Sequence, residues 1–199
     1  MEGTPLLSLV TPLGGSRPLS QFDDDELMQL AAAGRREAFE CLVRRHQPSV
    51  RAFCARACGG AQGDDAAQDV FLAVHRGARN YVPKGQFRSY LFTIAKNRCK
   101  NALRQVRARR EELIEVEREE PSAKSGLDAI LVEERRRRLH LLVADLPEEQ
   151  RTAIQLRFSA GLDYSEVAEV VGCPEPTARG RVHSGVIKLR ARLAKRGGL

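Results

Sequence analysis

The chain has no tryptophan, and aromatic residues supply only 5% of its 199 positions. Sandwiches and barrels draw heavily on aromatic and β-branched side chains, so this poverty favours helices. Cysteine is sparse too. Its five copies, Cys41, Cys54, Cys58, Cys99 and Cys173, are odd in number and lack C-x-x-C spacing. A secreted disulfide framework is therefore not expected, and a reducing interior is. No apolar run reaches the length of a membrane span. The N-terminus offers only LLSLV, interrupted by proline and glycine and without a basic flank, so no signal peptide is read there. Together these absences predict a cytoplasmic protein. The most telling absence is local: Lys84–Arg110 and Thr177–Leu199 contain no Asp or Glu, although charged residues are 30% of the chain.

What is present fits an acidic partner. The formal charge is +7, and the acids crowd into Asp23–Asp25, Asp64–Asp69 and Glu111–Glu120. A basic balance alone is weak evidence for nucleic acid, but its segregation along the chain adds to it. Residues 1–22, rich in proline and glycine, read as a disordered extension. A helix starts near Asp25 and stops around Gly34. Phe39, Leu42, Val43, Val50, Phe53 and Cys54 then recur at helical spacing, with Pro48 predicting a kink or break near Gln47. Gly59, Gly60 and Gly63 are expected to end that helix, and Asp64 or Asp65 to cap the next, which runs to about Ala78. The loop NYVPKGQ precedes a long helix from Phe87 to Arg110.

PSAKSG marks the clearest linker. Beyond it, Ile130–Leu146 is helical, another helix begins at Pro147, and Asp163-x-x-Glu166 makes a capping-box start for YSEVAEVV. Gly172-Cys173-Pro174 is a tight turn before a basic helix that ends near Lys195. The predicted fold is all-α. A helical bundle (23–110) and a helix-turn-helix domain (127–199) are joined by a flexible linker (111–126).

Three faces ask for partners. On the last helix, Ala178, Val182, Val186, Leu189 and Leu193 share an apolar face, with Gly185 permitting close approach. Opposite is a slim ridge of Gly180, Ser184, Ile187 and Ala191, flanked by Arg179, His183 and Arg190 on one side and Arg181 and Lys188 on the other. A slim, cation-flanked second helix after a tight turn suits the major groove; the blander reading is a solvated basic helix. On the Asp65–Ala78 helix, Asp65, Gln68, Asp69, Leu72 and Arg76 oppose the apolar Ala67, Val70, Phe71, Val74 and Ala78. A leucine ringed by polar groups can anchor a protein interface, although single exposed leucines are common. Within FRSYLFTIAKNRCKNALRQVRARR, Phe87, Leu91, Ile94, Ala95, Cys99, Ala102 and Val106 form an apolar arc. Ser89, Thr93, Lys96, Asn97, Lys100, Arg104 and Arg107 gather opposite. That polar set suits phosphates and base edges, and an acid among them would repel the phosphate backbone.

These motifs resemble those of extracytoplasmic-function (ECF) sigma factors, promoter-specificity subunits of bacterial RNA polymerase. AFECLVRRHQPSV, DDAAQDVFLAVHR and FRSYLFTIAKNRCKNALR are similar to stretches of the family's first domain. LPEEQRTAIQLRFSAGLDYSEVAEVVGCPEPTARGRV is similar to its second, and the likeness spans nearly all of residues 23–195. The resemblance implies that Asp65, Gln68, Asp69 and Leu72 dock on the clamp helices of the polymerase core. It implies that Asn80, Tyr81, Lys84, Lys96, Asn97, Lys100 and Arg104 engage the minus-ten element, where a non-template base is flipped and Tyr81 supplies a stacking surface. Thr177, Arg179, Arg181, His183, Ser184 and Lys188 would read the minus-thirty-five element. An anti-sigma partner, often membrane-bound in this family, is implied too. No cofactor and no small-molecule substrate are expected.

Departures from the family pattern put the base contacts in question. Tyr90 replaces the usual Trp, Glu175-Pro176 precedes Thr177, and Gly180 and Ser184 stand where Ser and Arg are frequent. The alternative reading is an autonomous helix-turn-helix regulator. An enzyme acting on nucleic acid is disfavoured, because P-loop, H-E-x-x-H and zinc-spaced Cys/His motifs are missing. Cys54 and Cys58, one turn apart, invite a metal or redox role, with core packing as the plainer explanation. The scattered histidines suggest no metal site, and Arg135–Arg138 reads as a solvated helix face.

Overall fold

The computed structural model describes residues 17–112 and 139–195. The expected linker from 113 onward, residues 1–16 and the Arg135–Arg138 run lie outside the described residues. Within them every regular element is helical, and there is no strand.

Helix α1 (Asp24–Ala32) begins on a reciprocal capping box, in which the Asp23 side chain accepts from the Glu26 N–H and the Glu26 carboxylate from the Asp23 N–H. Ahead of it, residues 17–22 are not the loose extension expected there. A 3-10 turn (Leu19–Gln21) lays Leu19 and Phe22 against the core, so apolar contact holds this part of the chain down.

Helix α2 (Arg36–Cys58) runs unbroken through Pro48, so of the expected kink or break the break does not occur. Pro48 and Arg44, whose carbonyl loses its amide partner, both lie on the exposed side. Water can serve that carbonyl, while Val50 and Phe53 keep the buried side seated. Helix α3 (Gly60–Gly77) also departs from expectation, starting ahead of Asp64 and Asp65 rather than being capped by them. Asp64 instead meets Arg51 at 2.9 Å. Gly63 explains the early start: a Cβ there would stand 2.7 Å from Ala55 Cα and 2.9 Å from the Cys54 carbonyl oxygen. Without a side chain, the first turn of α3 can press directly on the backbone of α2.

A 3-10 turn (Ala78–Asn80) and the loop to Gln86 lead into α4 (Phe87–Glu112). The core of this first module holds Leu27, Met28, Leu42, Val50, Phe53, Val70, Val74, Leu91 and Phe92, all essentially inaccessible. Phe53 and Phe92 meet edge to face, ring centroids 5.7 Å apart.

The second module has a helical turn over 139–144, then α5 (Glu148–Ile154), which starts one residue after the expected Pro147 with no side-chain cap, and is continued by a π-helical turn (Gln155–Ser159). Helix α6 (Tyr164–Val171) starts on the expected Asp163–Glu166 capping box and ends on Gly172 in the left-handed conformation (φ 71°). Helix α7 (Glu175–Lys195) follows at once. The two modules touch: α6 lies along α4, the π turn packs against α2, and one apolar cluster runs through both.

Candidate nucleic-acid and protein interfaces

Helix α3 separates its faces cleanly. Ala66, Ala67, Val70 and Val74 are buried against α2 and α4, whereas Asp65, Gln68 and Asp69 are exposed and Leu72 is 52% exposed among them. Among the described residues neither Asp65 nor Asp69 has a salt-bridge partner, in contrast to Asp64. The result is an acidic, hydrogen-bonding face with one apolar knob, fit for a protein partner that offers cations around an apolar socket.

The second face runs from the 79–86 loop onto α4. Asn80, Lys84, Asn97, Lys100 and Arg104 are exposed. Tyr81 is not the open stacking surface expected of it. Its hydroxyl donates to Asp25 Oδ1 at 2.6 Å, and its ring sits 5.0 Å from Tyr90 and 5.9 Å from Phe87. Burial and the bond to the Asp25 carboxylate push its phenol well above the ordinary range. The other Asp25 oxygen accepts the Gly85 N–H at 2.6 Å, so one carboxylate holds both ends of the loop. Ser89, assigned to the polar stripe, is buried, because the first turn of α4 is enclosed on more sides than its spacing suggests. Phe92, outside the expected apolar arc, is fully buried for the same reason.

Lys96 is only half-exposed, and its ammonium donates to the carbonyl of Val170 at the end of α6. Burial first, and then repulsion from Lys100, lowers its pKa. Around it are three more contacts that sequence reasoning missed. Arg88 bonds Glu166 at 3.0 Å and the Gly161 carbonyl at 2.8 Å, and the Gln86 amide donates to Glu169. On the far side the Arg56 carbonyl accepts from Gln155 at 3.0 Å and lies 3.1 Å from His140 Nε2. The acid-free stretch of α4 thus meets the acids of α6 across the module boundary. A signal existed in the spacing Glu166-x-x-Glu169 on an otherwise apolar helix, but only tertiary placement says what those acids face.

The third face is α7. Ala178, Val182, Gly185 and Leu189 are buried, as the helical spacing predicts. A Cβ on Gly185 would lie 2.5 Å from Ile154 Cδ1, which is the close approach expected of that glycine. Thr177, Arg179, His183, Ser184 and Lys188 are exposed. Arg179 is oriented by Glu175 at 2.8 Å and stacks over Tyr164, 4.7 Å from the ring centroid. Arg181 is less free, half-buried and paired with Glu149 at 3.0 Å. Phe158, 64% exposed, and Ile187, 52% exposed, flank a shallow apolar groove beside this helix, another feature the sequence reading passed over.

Comparison with known proteins finds two family matches along the chain. Residues 42–110 match the family described as Sigma-70 region 2, and residues 136–189 match Sigma-70, region 4. The RNA polymerase sigma-H factor of Pseudomonas aeruginosa is 31% identical over 82% of this chain and 90% of its own length. The ECF RNA polymerase sigma-E factor of Escherichia coli (strain K12) is 30% identical over 81% of this chain and 90% of its own. Among solved structures, CnrH in complex with the cytosolic domain of CnrY is similar with a TM-score of 0.66. It is 29% identical, and the match covers 86% of this chain and 97% of that one. Sigma factors are not an enzyme class, and among the described residues no helix is long and apolar enough to cross a membrane. With its two sigma-70 regions in order and its relatives matched nearly end to end, the chain belongs to the ECF sigma factors, which bind RNA polymerase core and direct it to promoters.

Proposed function

We propose that the three faces divide the work of initiation. The α3 face of Asp65, Gln68, Asp69 and Leu72 docks on the clamp helices of the polymerase core. The 79–86 loop and the α4 stripe of Lys96, Asn97, Lys100 and Arg104 hold the opened minus-ten strand, with Asn80 and Lys84 at the loop's exposed edge. Tyr81 braces this loop through Asp25 and Tyr90. The α7 ridge of Thr177, Arg179, Ser184 and Lys188 reads the minus-thirty-five element, with His183 beside it and Arg181 at its margin. The modules correspond to residues 23–110 and 127–199, joined by the linker 111–126, and the protein acts in the cytoplasm without chemistry of its own.

One observation carries this reading: α4 and α7, in different modules, each present cations and amides or hydroxyls to solvent with no acid on the same helix before Glu111 in the one and after Glu175 in the other. Phosphate contacts fix register, and base contacts beside them specify. The present arrangement adds a condition. Lys96 is occupied by the Val170 carbonyl, and Glu166 and Glu169 lie over the start of the stripe, so the modules separate when the minus-ten strand binds. A partner anti-sigma protein, membrane-bound or free, would act by favouring the closed arrangement. The complex of the similar protein CnrH with the cytosolic domain of CnrY supports such a partner.

Run-off transcription with core polymerase on promoter fragments tests the proposal. Asp69→Lys should abolish core binding with native circular dichroism, Lys100→Glu should impair promoter opening, and Arg179→Ala should impair upstream recognition alone. Tight, sequence-specific DNA binding by the chain without core would favour the autonomous regulator instead.

A further inference from the structure

Arg179 is exposed near the start of α7, yet two neighbours outside the α7 ridge hold it. Its guanidinium carbon lies 4.7 Å from the centroid of the Tyr164 ring, and one terminal nitrogen meets Glu175 at 2.8 Å, one turn back on the same helix. The ion pair alone is weak, because its side chains are 62% and 44% exposed. The two contacts act on different degrees of freedom. Stacking sets the plane of the guanidinium, and the carboxylate sets its rotation within that plane. An arginine held in both respects has lost rotamer freedom before any ligand arrives.

The two supports are themselves fixed. Tyr164 opens α6 directly after Asp163, whose carboxylate accepts from the Glu166 N–H at 2.8 Å and from the Ser165 hydroxyl at 2.7 Å. Its half-buried ring packs on the core and carries a second guanidinium, that of Arg157, at 5.1 Å. Arg157 in turn donates to the Leu162 carbonyl at 2.9 Å. Glu175 opens α7, and the ring of Pro176 fixes the backbone next to it. Each support has a plainer role, Tyr164 in packing and Glu175 as an acid at a helix N-terminus. Neither role explains why both meet on one guanidinium. Glu175 is also the single acid on α7, and beside DNA it repels phosphate.

We propose that Tyr164 and Glu175 are positioning residues for base reading: given that α7 lies on the minus-thirty-five element, they hold Arg179 with its free edge toward one guanine there. A guanidinium carries five N–H donors in a rigid fork, so the nitrogen engaged by Glu175 leaves an adjacent pair free. Two parallel N–H groups match the O6 and N7 acceptors of guanine in the major groove. Glu175 thus trades some attraction for DNA against discrimination at one base pair.

The test is selection of bound DNA from a library randomised over the promoter, using core polymerase loaded with the full chain and reading base preference at each position. The wild-type protein should favour guanine at one minus-thirty-five position by about 10- to 100-fold, and Arg179→Ala should erase that preference. Tyr164→Leu should lower it at least about 3-fold with the other positions unchanged, whereas Tyr164→Phe, which keeps the ring, should retain it. Glu175→Ala should lower the same preference while raising affinity for non-specific DNA, because a repelling acid has gone. Higher affinity at unchanged preference would mean that Glu175 only repels phosphate. Preference kept in Tyr164→Leu, or lost equally in Tyr164→Phe, would mean that the stack does not aim Arg179. Either result overturns the proposal and leaves the assignment of α7 standing, whereas preference kept in Arg179→Ala overturns both. Where Tyr164→Leu fails to fold, Glu175→Ala, at a partly exposed position, decides the matter.

Discussion

The contact between α4 and α6 can be loosened without touching either proposed DNA-reading helix. Glu166→Gln removes the charge that holds Arg88 but keeps an acceptor for the Asp163 N–H, because Gln serves at the third position of a capping box as Glu does. The side chains of Arg88 and Glu166 are 36% and 18% exposed, so solvent screens the pair in part, and its loss costs the closed arrangement about 0.5–1 kcal/mol. Adding Glu169→Ala deletes the acceptor of Gln86 and contributes about 0.5 kcal/mol more. Together they shift the open-to-closed ratio by roughly 5- to 10-fold. Where the closed form predominates, the affinity of the free chain for single-stranded minus-ten DNA rises by the same factor. Fluorescence anisotropy with a labelled oligonucleotide reads the affinity, and small-angle scattering reads the expansion. Removing two negative charges also strengthens non-specific attraction to DNA. Glu37→Ala with Glu40→Gln, the same change on the far end of α2, is the control and should give a smaller gain. Equal gains in the two double variants, or no change in radius, would refute the reasoning.

Further expectations concern the frame of each face. Gly63→Ala forces a Cβ to within 3 Å of α2 backbone atoms, and overpacking there should cost about 1–3 kcal/mol, seen as a lower urea midpoint. Burial raises the Asp24 pKa, but its bonds to His46 at 2.8 Å and Arg45 at 2.5 Å outweigh that and hold it below the ordinary 3.8. A carboxylate depressed in the folded state contributes stability that is present above the unfolded pKa and is lost as pH falls through the folded one. Asp24→Asn should therefore flatten the acid limb of the stability curve below 3.8 and lower stability at neutral pH by about 1.5–3 kcal/mol, measured by denaturant titration across pH. Lys100→Gln should leave the fold unchanged and reduce the salt dependence of single-strand binding by about 0.7 in slope, one phosphate contact's share. An unchanged slope would remove Lys100 from the DNA face.

Local signals carried much of this structure. The Asp163–Glu166 box, the turn at Gly172 and the spacing from Ala178 to Leu189 are written in adjacent residues, and the structure forms each of them. Where the sequence misled, a longer-range contact had overridden a local rule. Pro48 ordinarily breaks a helix, yet its missing hydrogen bond falls on a watered side while Val50 and Phe53 are locked in the core. Asp64 and Asp65 look like caps, but Gly63 lets α3 begin earlier by pressing on α2. The resemblance implies stacking by Tyr81, and no local feature shows that Asp25, far back in the chain, draws its hydroxyl inward. The candidate DNA residues on α4 were legible by charge, while what covers them was not, since that depends on where a later helix packs.

That covering refines what the acid-free stretch of α4 means. A cationic stripe kept clear of acids from Phe87 to Arg110 is poised for any anion, and the first anions in reach are those of the same chain. Glu166 and Glu169 lie one turn apart on α6, near the spacing at which Arg88 and Gln86 can take one carboxylate each, and the Val170 carbonyl ends the same helix over Lys96. A helix C-terminus carries partial negative charge, so α6 meets the stripe with two carboxylates along its length and a negative pole at its end. These are the groups with which a phosphate backbone must compete. The same lack of acids that suits α4 to nucleic acid therefore also makes it a seat for the second module. On the proposed reading, polymerase core would relieve that competition by holding the two modules apart, and the free protein would bind DNA more poorly than the core-bound one for an electrostatic reason.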